Sequence, residues 1–269
     1  MARMKSNRYT AIVEEIFHSR YRTGLRAVAF EREDLVRAAT KLGIEVPKNL
    51  GDLIYAFRYR QKLPLSISDT APEGETWIIR SAGTSKYRFA LVTDAPLTPN
   101  RNLTVTKVPD ATPGIIVRNA FSDEQAVLAL ARYNRLIDIF LGIACYSLQN
   151  HLRTTVRGLG QVETDEIYVG LDKRGSHYVV PVQAKGGSDR LSRIQIEQDF
   201  AVCAEKLPSL ICQPVGLQLM RNDLIALFAF EQDGDEINVV SEKHYQLVPP
   251  EVVTDEDLAR YRRRLSDTT

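Results

Sequence analysis

The chain has 269 residues, 44% of them hydrophobic and 26% charged, a balance that suits one large or two modest globular domains and argues against disorder. Its net charge of +1 hides an asymmetry: residues 1–92 carry 16 Lys and Arg against 10 Asp and Glu, and residues 93–269 carry 19 against 24, which suggests either a polyanionic partner for the first part or chance unevenness on a solvated surface. No stretch approaches the ~18 uncharged apolar residues of a membrane span, and no signal-peptide pattern opens the chain, so a cytoplasmic protein is expected.

Residues 1–92 read as a unit of their own. TAIVEEIFHSRY places Ile12, Val13, Ile16 and Phe17 on one helical face. EREDLVRAATKLG gathers Leu35, Val36, Ala39 and Leu42 ahead of Gly43, a helix stop. KNLGDLIYAFRYR repeats the stripe at Leu50, Leu53, Ile54 and Phe57. TWIIRSAGTSKYRFALV then predicts two strands around a Gly-Thr-Ser turn. Three helices followed by a hairpin resemble a winged helix-turn-helix. Opposite the apolar stripe, the third helix carries Lys48, Tyr55, Tyr59 and Lys62, flanked by Arg58 and Arg60, and the hairpin adds Arg80, Lys86 and Arg88. Such a helix can enter a major groove while a basic hairpin touches the backbone, which makes these residues candidate DNA contacts. A solvated helix with half-packed tyrosines is the plain alternative.

Residues 93–120, with DAPLTPNRN and VPDATPG, read as a connector to a second domain over 121–269. Ser122 and Gln125 form a capping box opening a helical stretch over 123–156, apolar nearly all round from Leu136 to Leu148 and broken near Gly142. Downstream come a helix in RLSRIQIEQDFAVCAEKL, strands in VGLQLM, LIALFAFE and INVV, and a final helix capped by Thr254 and Asp257. Cys145, Cys203 and Cys212 lack CxxC spacing and are expected to be reduced and buried. His18, His151, His177 and His244 are too scattered for structural zinc. No GxxxxGKS/T loop is present, so no nucleotide cofactor is expected.

QVETDEIYVGLDKRGSHYVVPVQAKGG is the stretch that suggests chemistry. It reads as two apolar strands joined by a turn at Asp172–Gly175, with Glu163, Asp165 and Glu166 on the first and Gln183 and Lys185 ending the second. Carboxylates are depleted in strands, so polar groups collected at paired strand ends need a purpose. Strand alternation puts Glu163 and Asp165 on one face and Glu166 on the other. Pairing can bring Asp165 near Gln183, so that two oxygen ligands and an ammonium converge. Magnesium suits such a site, since it accepts one or two carboxylates plus waters and phosphate oxygens. The lysine can orient the attacking water or neutralise charge on a phosphodiester. The pliable Gly186 and Gly187 leave room for a backbone phosphate.

This pattern resembles the PD-(D/E)XK nuclease superfamily: Asp165 matches the first acid, and Gln183-Ala184-Lys185 matches the triad with glutamine for the acid. VQAK looks like the corresponding strand of type IV, methyl-DNA-directed restriction nucleases. Thr164 stands where the pattern has Pro, and Glu163, or less directly Glu166, can restore the charge that Gln183 lacks. The resemblance implies a restriction-endonuclease-like mixed α/β sheet domain and magnesium-dependent cleavage of double-stranded DNA, with Asp165, Gln183, Lys185 and Glu163 as site residues. A homodimer is expected, because cutting both strands with one site per chain calls for two chains. Gln195 and Gln198 are expected as solvated helix residues, with bracing of the site or a phosphate contact as the alternative, and Gln149, Asn150, His151, Arg153 and Arg157 at the end of the long helix read equally as phosphate contacts or as ordinary solvated residues. Two other classes remain open: a non-catalytic DNA-binding regulator with a nuclease-like fold, and a structure-directed repair nuclease.

Overall fold

The structure, a computed structural model, describes residues 8–46, 49–59, 61–93, 97–119, 124–186 and 189–266. The chain divides into two compact units, Met1–Pro96 with Thr154–Val162, and Leu97–Arg153 with Glu163–Thr269.

The first unit contains α1 (Arg8–Arg20), β1 (Ala27–Glu31), α2 (Arg32–Lys41), α3 (Leu50–Tyr59), the single turn α4 (Leu65–Ser68), β2 (Glu75–Gly83) and β3 (Lys86–Thr93). β3 lies between β1 and β2 and is antiparallel to both. The sequence reading passes over β1, yet AVAFE alternates and buries Val28 and Phe30. The stripes of α1 and α3 go inward as expected, at Ile12, Val13, Ile16 and Phe17 and at Leu53, Ile54 and Phe57. α2 is rotated from its expected face. Leu35, Ala38 and Ala39 are buried, while Val36 and Leu42 are 38% and 40% exposed. The reason is Asp34, a buried acid that accepts the Glu31 N–H at 2.8 Å and pairs with Arg20 at 2.6 Å. That anchor sets which side of α2 faces the core. The rings of Phe17, Phe30, Trp77 and Phe89 close the centre through edge-on and tilted contacts.

The second unit holds β4 (Val105–Pro109), α5 (Gly114–Asn119), α6 (Glu124–Tyr133), α7 (Leu136–Leu141), β5 (Ala144–Val156), β6 (Gly160–Leu171), β7 (His177–Lys185), α8 (Arg193–Lys206), β8 (Ile211–Cys212), β9 (Val215–Leu219), β10 (Leu224–Asp233), β11 (Glu236–Val248) and α9 (Asp255–Ser266), with the far ends of β5 and β6 counted in the first. The sheet runs β4-β11-β10-β9-β7-β6-β5, with β8 beside β7. β6 and β7 are antiparallel, whereas β7 and β9 are parallel and joined through α8. Helices α6 and α7 cover one face, where Val127, Leu128, Leu136 and Ile137 pack on Val180, Val182 and Ala184 of β7. α8 covers the other, with Ile196 against Phe228 and Phe230, and Cys203 against Ile167 and Val179. β7 is therefore buried on both sides, which explains its unbroken apolar run.

Two expectations are corrected here. Residues 97–119 are more than a connector, because β4 pairs in parallel with β11 and α5 comes after it. The long helix over 123–156 becomes two short helices and a strand. Arg135 and Gly142 adopt left-handed backbone at φ 51° and 67°, which ends helical propagation at both places. The break at Gly142 falls where it was expected, but the next element is the strand β5. The Thr254–Asp257 cap of α9 is present in both directions, at 3.2 Å each way. Cys145 and Cys203 are buried, Cys212 is half-buried, and all three are free. Among the described residues no helix is long and apolar enough to cross a membrane.

Candidate active site

Strand ends β6 and β7 meet beside the first turn of α6. Glu166 stands opposite Val182, and one residue further the Asp165 Oδ2 accepts the Ala184 N–H at 2.8 Å. Asp165 is only 8% exposed. Burial raises its pKa, while the Ala184 hydrogen bond and the nearby Lys185 charge pull the other way. The Lys185 Nζ donates to Glu124 Oε1 at 2.7 Å. Glu124 also raises the pKa of Asp165, so the two acids lie within electrostatic reach and flank one ammonium. Glu124 was hidden from sequence reasoning inside the Ser122–Gln125 capping box; Ser122 itself lies outside the described residues. The available signal was an acid in the first turn of a helix preceding the hairpin.

Gln183 is fully buried and bound on every side. Its Nε2 donates to both carboxylate oxygens of Asp199 at 3.1 Å and to the Glu163 carbonyl at 3.3 Å, and its Oε1 accepts from Gln195 Nε2 at 3.2 Å. Thr164 Oγ1 donates to the same Asp199 at 2.7 Å. Burial pushes the Asp199 carboxyl up to about 8, against the pull of the Thr164 and Gln183 hydrogen bonds. Sequence reasoning weighed Gln195 and Gln198 on α8, favouring solvated positions for both, and overlooked Asp199. Its signal was an acid between Ile196 and Cys203 on an apolar helical stripe. Gln195 braces Gln183; Gln198 is buried rather than solvated.

Glu163 does not pair with Asp165 as the alternation rule predicts. Its carboxylate is engaged by β5, with Arg153 Nε at 3.3 Å and His151 Nδ1 at 3.7 Å. The physical reason is a break in alternation. Thr164 and Ile167, three residues apart, both turn toward α8, where regular strand geometry would place them on opposite faces. Glu166 is wholly buried on the α6 side, accepting from Arg132 Nε at 2.9 Å and Ser147 Oγ at 2.6 Å. Gln149, Asn150, His151 and Arg153 sit on β5 instead of a helix end, and His151 takes left-handed backbone at φ 48°.

The candidate DNA contacts separate into groups. Tyr55 is 47% exposed, and Lys62 and Lys86 are exposed, Lys86 lying 3.9 Å from Glu31. Arg58 and Arg88 are half-buried. Arg80 is a correction: it is 8% exposed, a strand residue held in the sheet directly opposite Arg88 rather than a surface cation. Lys48, Arg60 and the side chain of Tyr59 lie outside the described residues, as does Gly187.

Among the described residues no three His, Cys, Asp or Glu side chains converge as a metal-holding group. That leaves room for magnesium held by few protein oxygens and several waters. Asp165 and Glu124 are the two carboxylates beside Lys185, the number such an ion asks of a protein. No family model, curated protein or solved structure matches the chain.

Proposed function

We propose that this chain is a magnesium-dependent endonuclease of double-stranded DNA, of the PD-(D/E)XK kind and acting in restriction, with residues 1–96 as a winged-helix-like reader. One observation carries the reading: buried Asp165 accepts the N–H of Ala184, the residue before Lys185, and the Lys185 ammonium is paired with Glu124 on the helix that precedes the hairpin. The order from α6 to β9, with helices, three strands joined by short turns, a crossover helix and a parallel strand, supports a restriction-endonuclease-like core. The interleaved β1 and the β1-β3-β2 sheet support the winged-helix reading.

Asp165 and Glu124 would hold the magnesium, which when bound polarises a phosphoryl oxygen and acidifies water. Lys185, 13% exposed at its side chain, keeps its ammonium at the mouth of the site. There it orients the attacking water or offsets charge on the scissile phosphate. Gln183, with its amide nitrogen on Asp199 and the Glu163 carbonyl and its oxygen on Gln195, braces the end of β7 and offers the ion no free oxygen. Two chains are needed to cut both strands, so the working form is a homodimer.

A second reading, a non-catalytic DNA-binding protein on the same scaffold, draws on one feature: the Gln183 oxygen is already taken by Gln195. Incubation of plasmid DNA, methylated and unmethylated, with the protein and magnesium or EDTA decides between them. Discrete fragments that need magnesium and disappear in Asp165→Ala and Lys185→Ala support the nuclease. Bound but intact DNA on every substrate supports the binding protein. Sedimentation of the protein with and without DNA tests the dimer.

A further inference from the structure

The long sheet of the second unit treats its two edges differently. At one edge β4 is 5 residues long, carries Lys107 at its middle and ends at Pro109, and the Lys107 backbone N–H is taken by the Tyr261 hydroxyl of α9 at 2.8 Å. The part of β11 that runs beyond its pairing with β4 brings Glu236, Glu242 and Lys243. A short strand, charges, a proline and a covering helix are the devices that keep a sheet edge from pairing with another chain. β5 forms the other edge and is 13 residues long. From Ala144 to Asn150 it has no Lys, Arg, Asp, Glu or Pro, and no strand lies beyond it among the described residues.

The same stretch exposes apolar side chains on one face. Cys145 packs on the α6 side and Ser147 bonds Glu166 there, so alternation turns Tyr146 and Leu148 to the opposite face, where they are 63% and 57% exposed. Leu171 of β6, 42% exposed, shares that face, two residues on from Val169, which stands opposite Val179. Asp138 accepts the Cys145 N–H at 2.9 Å, which marks Cys145 as a residue whose backbone groups point away from β6. By the same alternation those of Ser147 and Gln149 point outward too. His151, with φ at 48°, ends the regular stretch.

We propose that Tyr146–Asn150 is where two copies of this chain meet, β5 beside β5 in antiparallel pairing about a two-fold axis at Leu148. The inference gives a surface to the homodimer of the proposed function and rests on that reading for the dimer alone. A two-fold contact must be self-complementary, and this stretch is. Ser147 and the partner's Gln149 exchange both backbone hydrogen bonds, and the axis repeats the pair. The two Leu148 side chains meet at the axis, each Tyr146 lies opposite the partner's Asn150, and the exposed apolar faces of the two copies merge. Like charges do not face each other: His151 falls opposite the partner's Cys145.

The test is sedimentation velocity of the full chain without DNA over a range of concentrations, with circular dichroism of each variant beside it. The parent is expected to be a dimer. Leu148→Lys sets two ammonium groups side by side at the axis and is expected to raise the dimer dissociation constant about tenfold or more, with the parent's dichroism. Leu148→Cys is expected to give a disulfide-linked dimer with glutathione disulfide, because facing residues of a non-hydrogen-bonded pair lie about 4.5 Å apart at Cα, within disulfide reach. Val240→Cys on β11, 49% exposed, is expected to give none. A parent dimer that Leu148→Lys leaves intact and Leu148→Cys does not cross-link overturns the inference and leaves the homodimer standing on another surface. If Leu148→Lys does not fold, the cross-link decides alone. A parent that stays monomeric as concentration rises overturns the inference and the homodimer together, and the plasmid assay then judges cleavage by itself.

Discussion

Asp165 and Asp199 are acids drawn out of water, and burial raises the pKa of each. For Asp199 the rise runs from the ordinary 3.8 to about 8. A carboxyl whose folded pKa lies above its unfolded value contributes stability below the unfolded pKa and loses it as pH rises through the folded one. The melting temperature is therefore expected to fall between about pH 4 and pH 8, and Asp199→Asn to flatten that slope. At Lys185 the expected effect is catalytic. Lys185→Met should lower the cleavage rate roughly 100-fold or more while DNA retention in a gel-shift assay stays near the parent. Asp165 and Lys185 could be found in the sequence because a charged residue ending an apolar strand is conspicuous. Glu124 and Asp199 were harder to see, since their relevance comes from helices that fold back over the sheet. Arg80 misled for the opposite reason: a basic residue in a hairpin looks exposed, yet on the sheet face away from Trp77 and Ile79, opposite Arg88, it is buried.

Helix α6 is fixed to the sheet by its apolar stripe and by the Arg132–Glu166 pair, whose carboxylate is wholly buried. Arg132→Met leaves that acid in the core without its cation, a loss of about 3 kcal/mol in urea unfolding. Replacing both partners by apolar residues of similar volume should recover most of it, which separates a charge effect from a packing effect. Strand β9 offers a steric counterpart. Gly216 lies opposite Gln183, and a Cβ there would meet Leu191 Cδ1 at 2.5 Å and Phe230 Cε2 at 3.1 Å. Gly216→Ala is expected to destabilise by about 1–3 kcal/mol in the same measurement, because a side chain must be forced from its packed position. Helical stripes and short hairpins were readable because their periods differ sharply. β5 was not, since the apolar run before it has neither period, and only the two left-handed residues at 135 and 142 divide the stretch. β4 was missed because Pro- and Asn-rich flanks disguised a strand whose partner, β11, lies far along the chain.

The whole chain is nearly neutral, but its charge is not evenly spread, with 16 basic against 10 acidic residues in 1–92. If that excess meets phosphates, association should fall steeply with ionic strength. For three contacts, about a tens-fold loss is expected between about 50 and 200 mM salt in fluorescence anisotropy with labelled duplex. A flat response would mean that the basic residues serve the fold. Arg80, buried, and Arg88, half-buried, reduce the number available.

The first unit takes its residues from two separate stretches, Met1–Pro96 and Thr154–Val162. A unit encoded without interruption can be lost, duplicated or grafted onto another gene by one recombination event. This one cannot, because its second stretch is written inside the strands that also carry His151, Arg153, Glu163 and Asp165. Exchange of residues 1–96 for a foreign counterpart would leave the inserted stretch behind, unmatched. An intact transfer of the first unit therefore has to include residues 154–162 together with the strands that carry them.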